Sequence, residues 1–424
     1  MERKLYDNCL AILNSELMVA LGCTEPIAIA YAAARAREVL GTEPTKCVVR
    51  CSGNIVKNVM GVTVPNSGGM RGIDVAAILG ILGGDASREL QVLESVQPEH
   101  IERTKALLKT DFCNCRLVED VENLYVEVCL TDAANHSAAV EVKDRHNNIT
   151  RICKDDDVLF AGHDAQKDGA PVGDKSLLTV KNILEFADTV RFEDIEQIIG
   201  RQVECNSAIS KEGLKGGYGT QTGRVLMENG GEDLHTRAKA AAAAGSDARM
   251  SGCPLPVVIN SGSGNQGITI TMPLVEYAKA YQISRERLYR SLAAANLIAI
   301  HQKKYIGSLS AYCGAVSAAC GAGAGIAYML GGSYELVSQT ITNTIATIGG
   351  MVCDGAKPSC ASKIAAAVEC ALLALDMAKD GHVFQPGEGI VNDTVEKTIA
   401  SVGRVGRVGM HGTDIEILNI MLEK

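Results

Sequence analysis

The alternation of apolar and polar residues predicts β-strands only in the first two-fifths of the chain. Four short apolar runs there are rich in β-branched residues, and the last two alternate as half-buried antiparallel strands do. These runs are 47–51, 62–64, 124–130 and 138–142. Residues 1–40 have the pattern of two helices broken at Gly22, and 100–108 has that of a third. The first part is therefore expected to be a mixed α/β region with antiparallel strands.

The rest of the chain has a helical pattern that is rich in alanine and glycine. A polar segment, 164–174, precedes it and has the composition of a linker. Helices are predicted at 177–187, 237–244, 285–301, 309–330, 336–347 and 362–378. Several are apolar on nearly every face, which indicates helices buried among other helices. The fold class is thus α+β, divided into a mixed domain at 1–165 and a helical domain at 166–424.

Two glycine-rich stretches need separate interpretation. Residues 305–334 carry no charge and are long enough to span a bilayer, but Gly, Ala and Ser give weak membrane affinity. A tightly packed buried helix is favoured over a transmembrane one. Near the C-terminus, Gly403, Gly406, Gly409 and Gly412 recur at every third position and predict a turn-rich segment before a final helix or strand.

Composition narrows the class of protein. The chain has 424 residues, 15 cysteines and a net charge of −9, with no Trp and five Phe. This acidic balance, with few aromatic side chains, argues against nucleic acid as a partner. The N-terminus has no apolar segment of a signal peptide, so the cysteines are expected in the reducing cytoplasm as thiols or metal ligands. We expect a cytoplasmic metabolic protein without a membrane partner; a homo-oligomer is an open alternative to a monomer.

Three cysteines lie in stretches of small residues that leave room for an inorganic group: Cys313, Cys353 and Cys360. Soft thiolates hold iron–sulfur clusters or zinc, and three rather than four would leave one metal position open for a substrate. The alternative is a set of buried structural cysteines, with Ser359 capping a helix. Cys320 is predicted on the same helical face as Cys313 and could be only a packed small side chain.

Cys23 precedes a predicted helix whose first residue is Pro26 and whose cap is Glu25. The positive end of the helix dipole stabilises the thiolate form of a cysteine at a helix N-terminus. Cys23 is therefore a candidate base, nucleophile or fourth ligand. The alternative is an ordinary buried cysteine.

Three polar segments could contact a substrate. Residues 260–267 follow an apolar run and combine glycines with short amides, so their backbone N–H groups could hold a carboxylate or phosphate. Residues 52–58 and 65–69 could add polar contacts. In each case a solvated turn is the alternative.

Four ordered motifs resemble those of the L-cysteine desulfidase family. They are Gly-Cys-Thr-Glu-Pro at 22–26, Ser-Gly-Asn-Ile-Val-Lys-Asn-Val-Met at 52–60, Tyr-Ile-Gly-Ser-Leu-Ser-Ala-Tyr-Cys-Gly at 305–314 and Cys-Asp-Gly-Ala-Lys-Pro-Ser-Cys at 353–360. That family is related to the α chain of bacterial iron–sulfur L-serine dehydratases. The resemblance implies a [4Fe–4S] cluster with one open iron, no pyridoxal phosphate, and conversion of L-cysteine to pyruvate, ammonia and sulfide.

The resemblance also implies roles for individual residues. Cys313, Cys353 and Cys360 become the cluster ligands, and Cys23 becomes the proton acceptor. Residues expected to bind the amino-acid substrate lie in the motifs and in the 260–267 loop, which is similar to the dehydratases' Asn-Gly-Ala-Ala-Gly loop. They are Thr24, Asn54, Lys57, Asn260, Ser261, Ser263 and Asn265. The dehydratases separate their last two cluster cysteines more widely and have a Ser-Ser-Ser-His-Thr segment that is not found here; both differences favour a desulfidase.

The implied mechanism has the open iron bind the leaving group while a Cys23 thiolate removes the α-proton and the 261–265 backbone holds the carboxylate. Three alternatives stay open. The first is an L-serine dehydratase with the same ligands. The second is a pyridoxal-phosphate lyase, with the 261–267 loop as phosphate site and Lys303 or Lys304 as Schiff-base lysine. The third is a non-enzymatic, thiol-rich metal-binding or sensor protein.

Overall fold

The computed structural model describes residues 1–162, 172–231, 233–307 and 309–423. Most of the predicted linker, 164–171 of 164–174, lies outside these residues. The α+β class is confirmed, since a β-sheet lies in the first part of the chain and helices dominate the second. The division into domains at 165 and 166 stays a prediction.

The elements are numbered in chain order. The strands are β1 (Val19–Leu21), β2 (Pro44–Ser52), β3 (Cys113–Val118), β4 (Tyr125–Asp132), β5 (Ser137–Lys143), β6 (Ile149–Lys154), β7 (Asp157–Ala161) and β8 (Pro256–Val258). The helices are α1 (Arg3–Glu16), α2 (Thr24–Leu40), α3 (Gly53–Met60), α4 (Ile73–Gly83), α5 (Pro98–Leu107), α6 (Val180–Thr189), α7 (Phe192–Leu214), α8 (Thr222–Gly230), α9 (Leu234–Met250), α10 (Gly264–Ala280), α11 (Arg285–Ile306), α12 (Gly314–Met329), α13 (Tyr334–Ile348), α14 (Cys360–Lys379), α15 (Val395–Arg404) and α16 (His411–Met421).

Six strands form one sheet in the order β3-β2-β4-β5-β6-β7. The β2 and β3 strands are parallel, and the other neighbours are antiparallel. Buried residues alternate along β4 and β5, because successive side chains of a strand point to opposite faces. The α2 helix packs on β4 and β5, and α4 packs on α2. The sheet therefore has one face covered by helices, and α2 connects this face to the rest of the molecule.

Three of the four predicted strands are confirmed, as parts of β2, β4 and β5. The prediction of a strand at 62–64 is wrong, since only an isolated bridge joins Thr63 to Arg71. The run is bounded by Gly61 and Pro65, and proline cannot donate to a ladder of hydrogen bonds. The predicted break at Gly22 is present, and the short strand β1 lies just before it.

The second part is a helical core in which α12 is surrounded by α10, α11, α13 and α14. Its small residues allow close packing: a Cβ on Gly321 would lie 2.5 Å from the backbone oxygen of Ala295, and one on Gly323 would lie 3.0 Å from that of Ala371. The uncharged stretch 305–334 is divided among the end of α11, a non-helical stretch at 309–313, α12 and the beginning of α13. None of the helices in the described ranges is long and apolar enough to cross a bilayer.

Two predictions about element boundaries need correction. The helix predicted at 309–330 begins only at Gly314, because Tyr312 just before it forms an antiparallel bridge with Val352 and is not helical. The turn-rich segment predicted at the C-terminus is also wrong. Residues 395–421 are helical almost throughout, and a Cβ on Gly403 would collide with Tyr305. Gly403 and Gly406 therefore permit close packing, and none of the four glycines has a positive φ.

A second, two-stranded sheet pairs β1 with β8, with Leu21 opposite Pro256 and Val19 opposite Val258. The β1 strand leads directly to Gly22 and Cys23, and β8 leads to the 260–267 loop. This short ribbon therefore joins an early and a late segment of the chain at the place where two of the predicted site segments begin.

Candidate active site

One cavity collects several of the predicted site residues. It is lined by the beginning of α2, the β5–β6 hairpin, the end of α9, the turn before α10, and the two segments that carry the cysteines of the second part. The predicted site residues on its wall are Cys23, Ser261, Ser263, Asn265, Cys313, Cys353 and Cys360. The structure thus brings the expected base, the three thiols and the polar loop together.

The position of Cys23 follows from a sharp turn between β1 and α2. Gly22 has a φ of +63°, a conformation that glycine adopts without strain. Cys23 is the N-cap of α2 and is only 2% exposed. The expectation that Pro26 begins the helix and Glu25 caps it is wrong, since Pro26 is the third helical residue. Proline fits there because N–H groups of the first turn have no partner within the helix.

The environment of Cys23 keeps it a protonated thiol. Its Sγ donates a hydrogen bond to Oε2 of Glu25 at 3.0 Å. Burial raises the pKa of Cys23 well above its usual value, and the Glu25 carboxylate raises it further, whereas Arg249 lowers it. The expected resting thiolate is therefore wrong, because burial and an adjacent anion outweigh the helix dipole.

Glu25 is a buried carboxylate with polar neighbours on both oxygens. Oε2 accepts a hydrogen bond from Cys23 and lies 3.2 Å from the Thr24 hydroxyl, while Oε1 accepts a hydrogen bond from Asn58 at 3.0 Å. Nε2 of His146 lies 3.8 Å from Oε1, an ion-pair distance that is too long for a hydrogen bond. Burial tends to raise the pKa of Glu25, but His146 and Cys23 stabilise the anion more, so this pKa is well below its usual range. Glu25 is thus the nearest proton acceptor for Cys23.

The 260–267 segment forms a tight turn followed by the first turn of α10. Asn260 and Ser263 exchange backbone hydrogen bonds of 3.1 and 3.0 Å, and Ser261 and Gly262 between them have positive φ. Because α10 begins at Gly264, its first N–H groups lack acceptors within the helix, and they lie at the cavity. Helix N-termini of this kind bind anions. Carboxylate binding by this turn stays a prediction.

Asn260 and Thr24 form hydrogen bonds that hold this turn, but they do not line the cavity. The Asn260 side chain donates to Oδ1 of Asn296 at 2.9 Å and accepts from the Ser261 hydroxyl at 2.9 Å. The Thr24 hydroxyl donates to the backbone oxygen of Gly262 at 2.8 Å. Both side chains therefore fix the shape of the turn and its position against α2.

Asn54 and Lys57, which are also predicted to bind substrate, lie outside the cavity wall on α3. Both reach Asp414 of α16: Asn54 donates to Oδ2 at 2.8 Å, and Lys57 forms an ion pair with Oδ1. The Lys57 ammonium also lies 3.4 Å from the backbone oxygen of Cys353. These contacts attach the C-terminal helix to the segment that carries one of the thiols.

The three thiols come from two segments that are held together by backbone pairing. Cys313 N–H donates to Met351 at 2.9 Å, and Cys353 N–H donates to Ala311 at 2.6 Å. The Cys313 thiol donates to the Cys353 sulfur, which raises the pKa of Cys313 and lowers that of Cys353. Cys360 begins α14, and burial raises its pKa. In the ranges that the structure covers, no three His, Cys, Asp or Glu side chains converge on a point that could hold a single metal ion.

Cationic side chains surround these thiols. Lys57 and Lys357 lower the pKa of Cys353, and Lys357 and Lys363 act in the same direction on Cys360. Lys303 also lines the cavity, and burial lowers its pKa to about 8, although Cys353 and Cys313 partly oppose this effect. The positive charge favours thiolates and an anionic group bound to them.

Several side chains on the cavity wall were not among the predicted site residues, among them Glu25, Asn58, His146, Arg249 and Gln266. Glu25 and Asn58 lie within two of the sequence motifs, so motif membership could have indicated them. Gln266 lies in the polar loop. Arg249 and His146 gave no local signal, because each reaches the cavity only through the folding of distant segments.

Comparisons with known proteins identify the family of this chain. A family model described as the serine dehydratase alpha chain matches residues 87–419. A UPF0597 protein of Lachnoclostridium phytofermentans is 50% identical over 418 residues, covering 99% of this chain and 100% of the relative. A UPF0597 protein of Desulfitobacterium hafniense is 47% identical over 427 residues, covering 100% of this chain and 99% of the relative. A UPF0597 protein of Finegoldia magna is 48% identical over 417 residues, covering 98% of this chain and 100% of the relative. The chain therefore belongs to the serine dehydratase α-chain family.

Proposed function

We propose that this protein is a lyase that converts L-cysteine to pyruvate, ammonia and hydrogen sulfide by β-elimination. The observation that carries the proposal is the meeting of Cys23 and the three thiols in one cavity. The family is named for a dehydratase, which eliminates a β-substituent from an amino acid, and cysteine differs from serine only in that substituent. The reducing cytoplasm is the compartment that suits this chemistry.

The residues on the cavity wall support an iron–sulfur cluster, which we propose to be [4Fe–4S]. Cys313, Cys353 and Cys360 would hold it, since soft thiolates are the usual ligands of iron–sulfur clusters. Ligands that each bind a different iron of a cluster need not converge on one point. When bound, the cluster would supply a Lewis-acidic iron with an open position to polarise the substrate's leaving group. No pyridoxal phosphate is required in this proposal.

Cys23 and Glu25 would move the substrate's α-proton. Because Cys23 is a thiol that donates to the Glu25 carboxylate, it can accept a proton only as it passes its own to Glu25. The 3.0 Å separation of Sγ and Oε2 permits this transfer. In this relay the proton leaves Cα for Cys23 while Glu25 becomes protonated, and no free thiolate has to exist in the buried site.

The remaining chemistry takes place on the substrate. As the Cα–H bond breaks, its electron pair forms the Cα–Cβ double bond, and the Cβ–S pair leaves with the sulfur as hydrosulfide. The enamine product takes a proton on Cβ to become an imine, which water hydrolyses to pyruvate and ammonia. The net reaction is cysteine plus water giving pyruvate, ammonia and hydrogen sulfide.

L-Serine is the second candidate substrate, and the family match is the observation that favours it. The same proton relay would then expel hydroxide. Cysteine is preferred in the proposal because sulfur is the softer donor, and its thiol ionises near pH 8.5, far below an alcohol. A tenfold preference requires only about 1.4 kcal/mol of transition-state stabilisation.

The test begins with protein reconstituted anaerobically with iron and sulfide. We expect kcat/KM for pyruvate formation from L-cysteine to exceed that from L-serine. Equal or faster turnover of serine would identify a serine dehydratase. Activity with pyridoxal phosphate and without iron would support the pyridoxal-phosphate lyase. If neither amino acid gave pyruvate, a non-enzymatic, thiol-rich binding protein would be the remaining hypothesis.

Serine variants test the ligand set separately from turnover. Cys313→Ser, Cys353→Ser and Cys360→Ser should each lose bound iron and acid-labile sulfide, because an alcohol is a hard, weak iron ligand. Cys320→Ser is the matched control, since Cys320 is fully buried in α12 and does not line the cavity. It should retain both iron and sulfide. Full iron content in any of the first three would remove that residue from the ligand set.

A further inference from the structure

Six buried polar atoms on the cavity wall have no hydrogen-bond partner within the described residues. Two belong to nitrogen-bearing side chains that can donate and three to amide oxygens that can only accept; the sixth is a phenol. They are Arg249 Nη2, His146 Nε2, Asn58 Oδ1, Asn265 Oδ1, Gln266 Oε1 and Tyr312 Oη. Buried polar groups in proteins are almost always paired. A concentration of unpaired ones in a single cavity therefore indicates a polar ligand.

Arg249 is the donor whose position is best defined. It is 2% exposed, and its Nε is committed to the backbone oxygen of Gly22 at 2.9 Å. The guanidinium lies against the beginning of α10, since a Cβ on Gly264 would be 2.8 Å from its Cζ. Among the described residues it has no ion-pair partner. Its unpaired Nη2 and the first N–H groups of α10 thus contribute positive charge to the same side of the cavity.

The acceptors lie around the same cavity. Asn58 donates its Nδ2 to the Glu25 carboxylate at 3.0 Å, which fixes the amide and leaves Oδ1 unpaired. Asn265 donates its Nδ2 to the sulfur of Met250 at 3.6 Å and also leaves Oδ1 unpaired. Gln266 adds a third oxygen from the first turn of α10. An ammonium group has three N–H donors and no acceptor, so amide oxygens suit it.

We propose that this cavity recognises the free carboxylate and the free ammonium of an α-amino acid, with Arg249 and the first turn of α10 binding the carboxylate and with Asn58, Asn265 and Gln266 binding the ammonium. The inference rests on the proposed function and extends it to the groups that select the substrate class. Arg249 supplements the backbone loop as the carboxylate site, because its unpaired nitrogen is buried beside that loop. Amino acids blocked at either end are excluded, since each would leave buried polar atoms unpaired.

Binding by the reconstituted wild-type protein tests the selection directly. L-Alanine has both charged groups but no leaving group, so calorimetry measures its binding without turnover. We expect L-alaninamide, which lacks the carboxylate charge, and N-acetyl-L-alanine, which lacks the ammonium, each to bind at least tenfold more weakly. Affinities within twofold of L-alanine for both blocked compounds would overturn the proposal.

Variants then assign the two charges to the two sets of residues. Cysteamine lacks the carboxylate and 3-mercaptopropionate lacks the ammonium, so neither can be converted to pyruvate. Arg249→Lys should weaken binding of L-alanine and 3-mercaptopropionate at least tenfold and leave that of cysteamine within twofold. Asn265→Ala should weaken L-alanine and cysteamine but not 3-mercaptopropionate. Equal losses for all three ligands in either variant would mean a structural role and would contradict the assignment.

A matched control is Arg37→Lys. Arg37 also binds backbone oxygens, those of Ile81 and Gly84 at 2.9 and 3.0 Å, but at the far end of α2. It should bind all three ligands as the wild type does. The outcomes separate the two proposals: selective L-alanine binding without pyruvate formation would refute the lyase and leave the recognition site standing, whereas cysteine elimination unaffected by Arg249→Lys would refute only the recognition site.

Discussion

Removal of the Asp414 carboxylate should destabilise the protein strongly, although this residue lies near the C-terminus. Its partner Lys57 has a side chain that is 1% exposed, whereas the Asp414 side chain is 14% exposed. In Asp414→Ala the Lys57 ammonium would keep, among the described residues, the backbone oxygen of Cys353 at 3.4 Å as its one remaining acceptor. Breaking a buried ion pair by removing one partner costs about 3–5 kcal/mol, because it leaves an uncompensated buried charge. Asn54 would lose its 2.8 Å acceptor as well.

Replacing both charges should restore much of this loss. Lys57→Met keeps an unbranched apolar side chain in place of the lysine stem, and Asp414→Leu removes the matching carboxylate. Substituting a buried ion pair by apolar side chains of similar volume is often neutral or stabilising. We therefore expect the double variant Lys57→Met/Asp414→Leu to be more stable than Asp414→Ala. A double-mutant cycle with the single variants Lys57→Met and Asp414→Leu should give a coupling free energy of about 2 kcal/mol or more.

Urea unfolding followed by circular dichroism measures these free energies by linear extrapolation. The matched control is Asp393→Ala, which breaks an exposed pair with Lys397 whose two side chains are each 62% exposed. That variant should be indistinguishable from wild type, since solvent screens such pairs. The reasoning is refuted if Asp414→Ala loses less than about 1 kcal/mol, or if the double variant is as unstable as the sum of its single changes.

Three further predictions concern the active site and the effect of pH. Cys23→Ala should retain its iron but lose at least about 100-fold in turnover, because proton transfer from Cα is lost; loss of iron would instead make Cys23 a ligand. The fully buried Asp247 has a pKa that burial raises to about 6. Its unfavourable ionisation appears as the pH rises through that value, so Asp247→Asn should gain in urea midpoint relative to wild type between pH 5 and pH 7.5. Exposure to air with a chelator should abolish pyruvate formation, and ferrous iron with thiol should restore it; activity that survives this treatment would exclude the cluster.

The sequence predicted the fold where local pattern and tertiary structure agree. Alternation located β4 and β5, since their residues face a covered and an open side of one sheet. Pattern failed at 309–313, where apolar residues suit a helix, because backbone hydrogen bonds pair 311–313 with 351–353 instead. Such pairing depends on a segment forty residues away in sequence, which no local window contains.

The site shows the same division. Cys23 and the three thiols were predicted as site residues because cysteines in short motifs indicate metal binding or acid–base chemistry. Arg249 and His146 could not be, since an arginine at the end of an alanine-rich helix and a histidine in a hairpin acquire a role only by meeting Gly22 and Glu25. Lys57 was predicted to bind substrate because it lies in a motif. In the structure it forms an ion pair with Asp414, a residue outside that motif.

The pairing of β1 with β8 has a consequence for the order in which the molecule can be made. Leu21 leaves the ribosome early, yet its partner Pro256 follows only after more than half of the chain has been translated. At typical synthesis rates of 5–20 residues per second, this wait lasts roughly 10–50 s. The thiols at 313, 353 and 360 emerge later still. Cys23 therefore waits for its support from β8 until Pro256 has been synthesised. A cofactor held by the three thiols could be inserted only after Cys360 has followed.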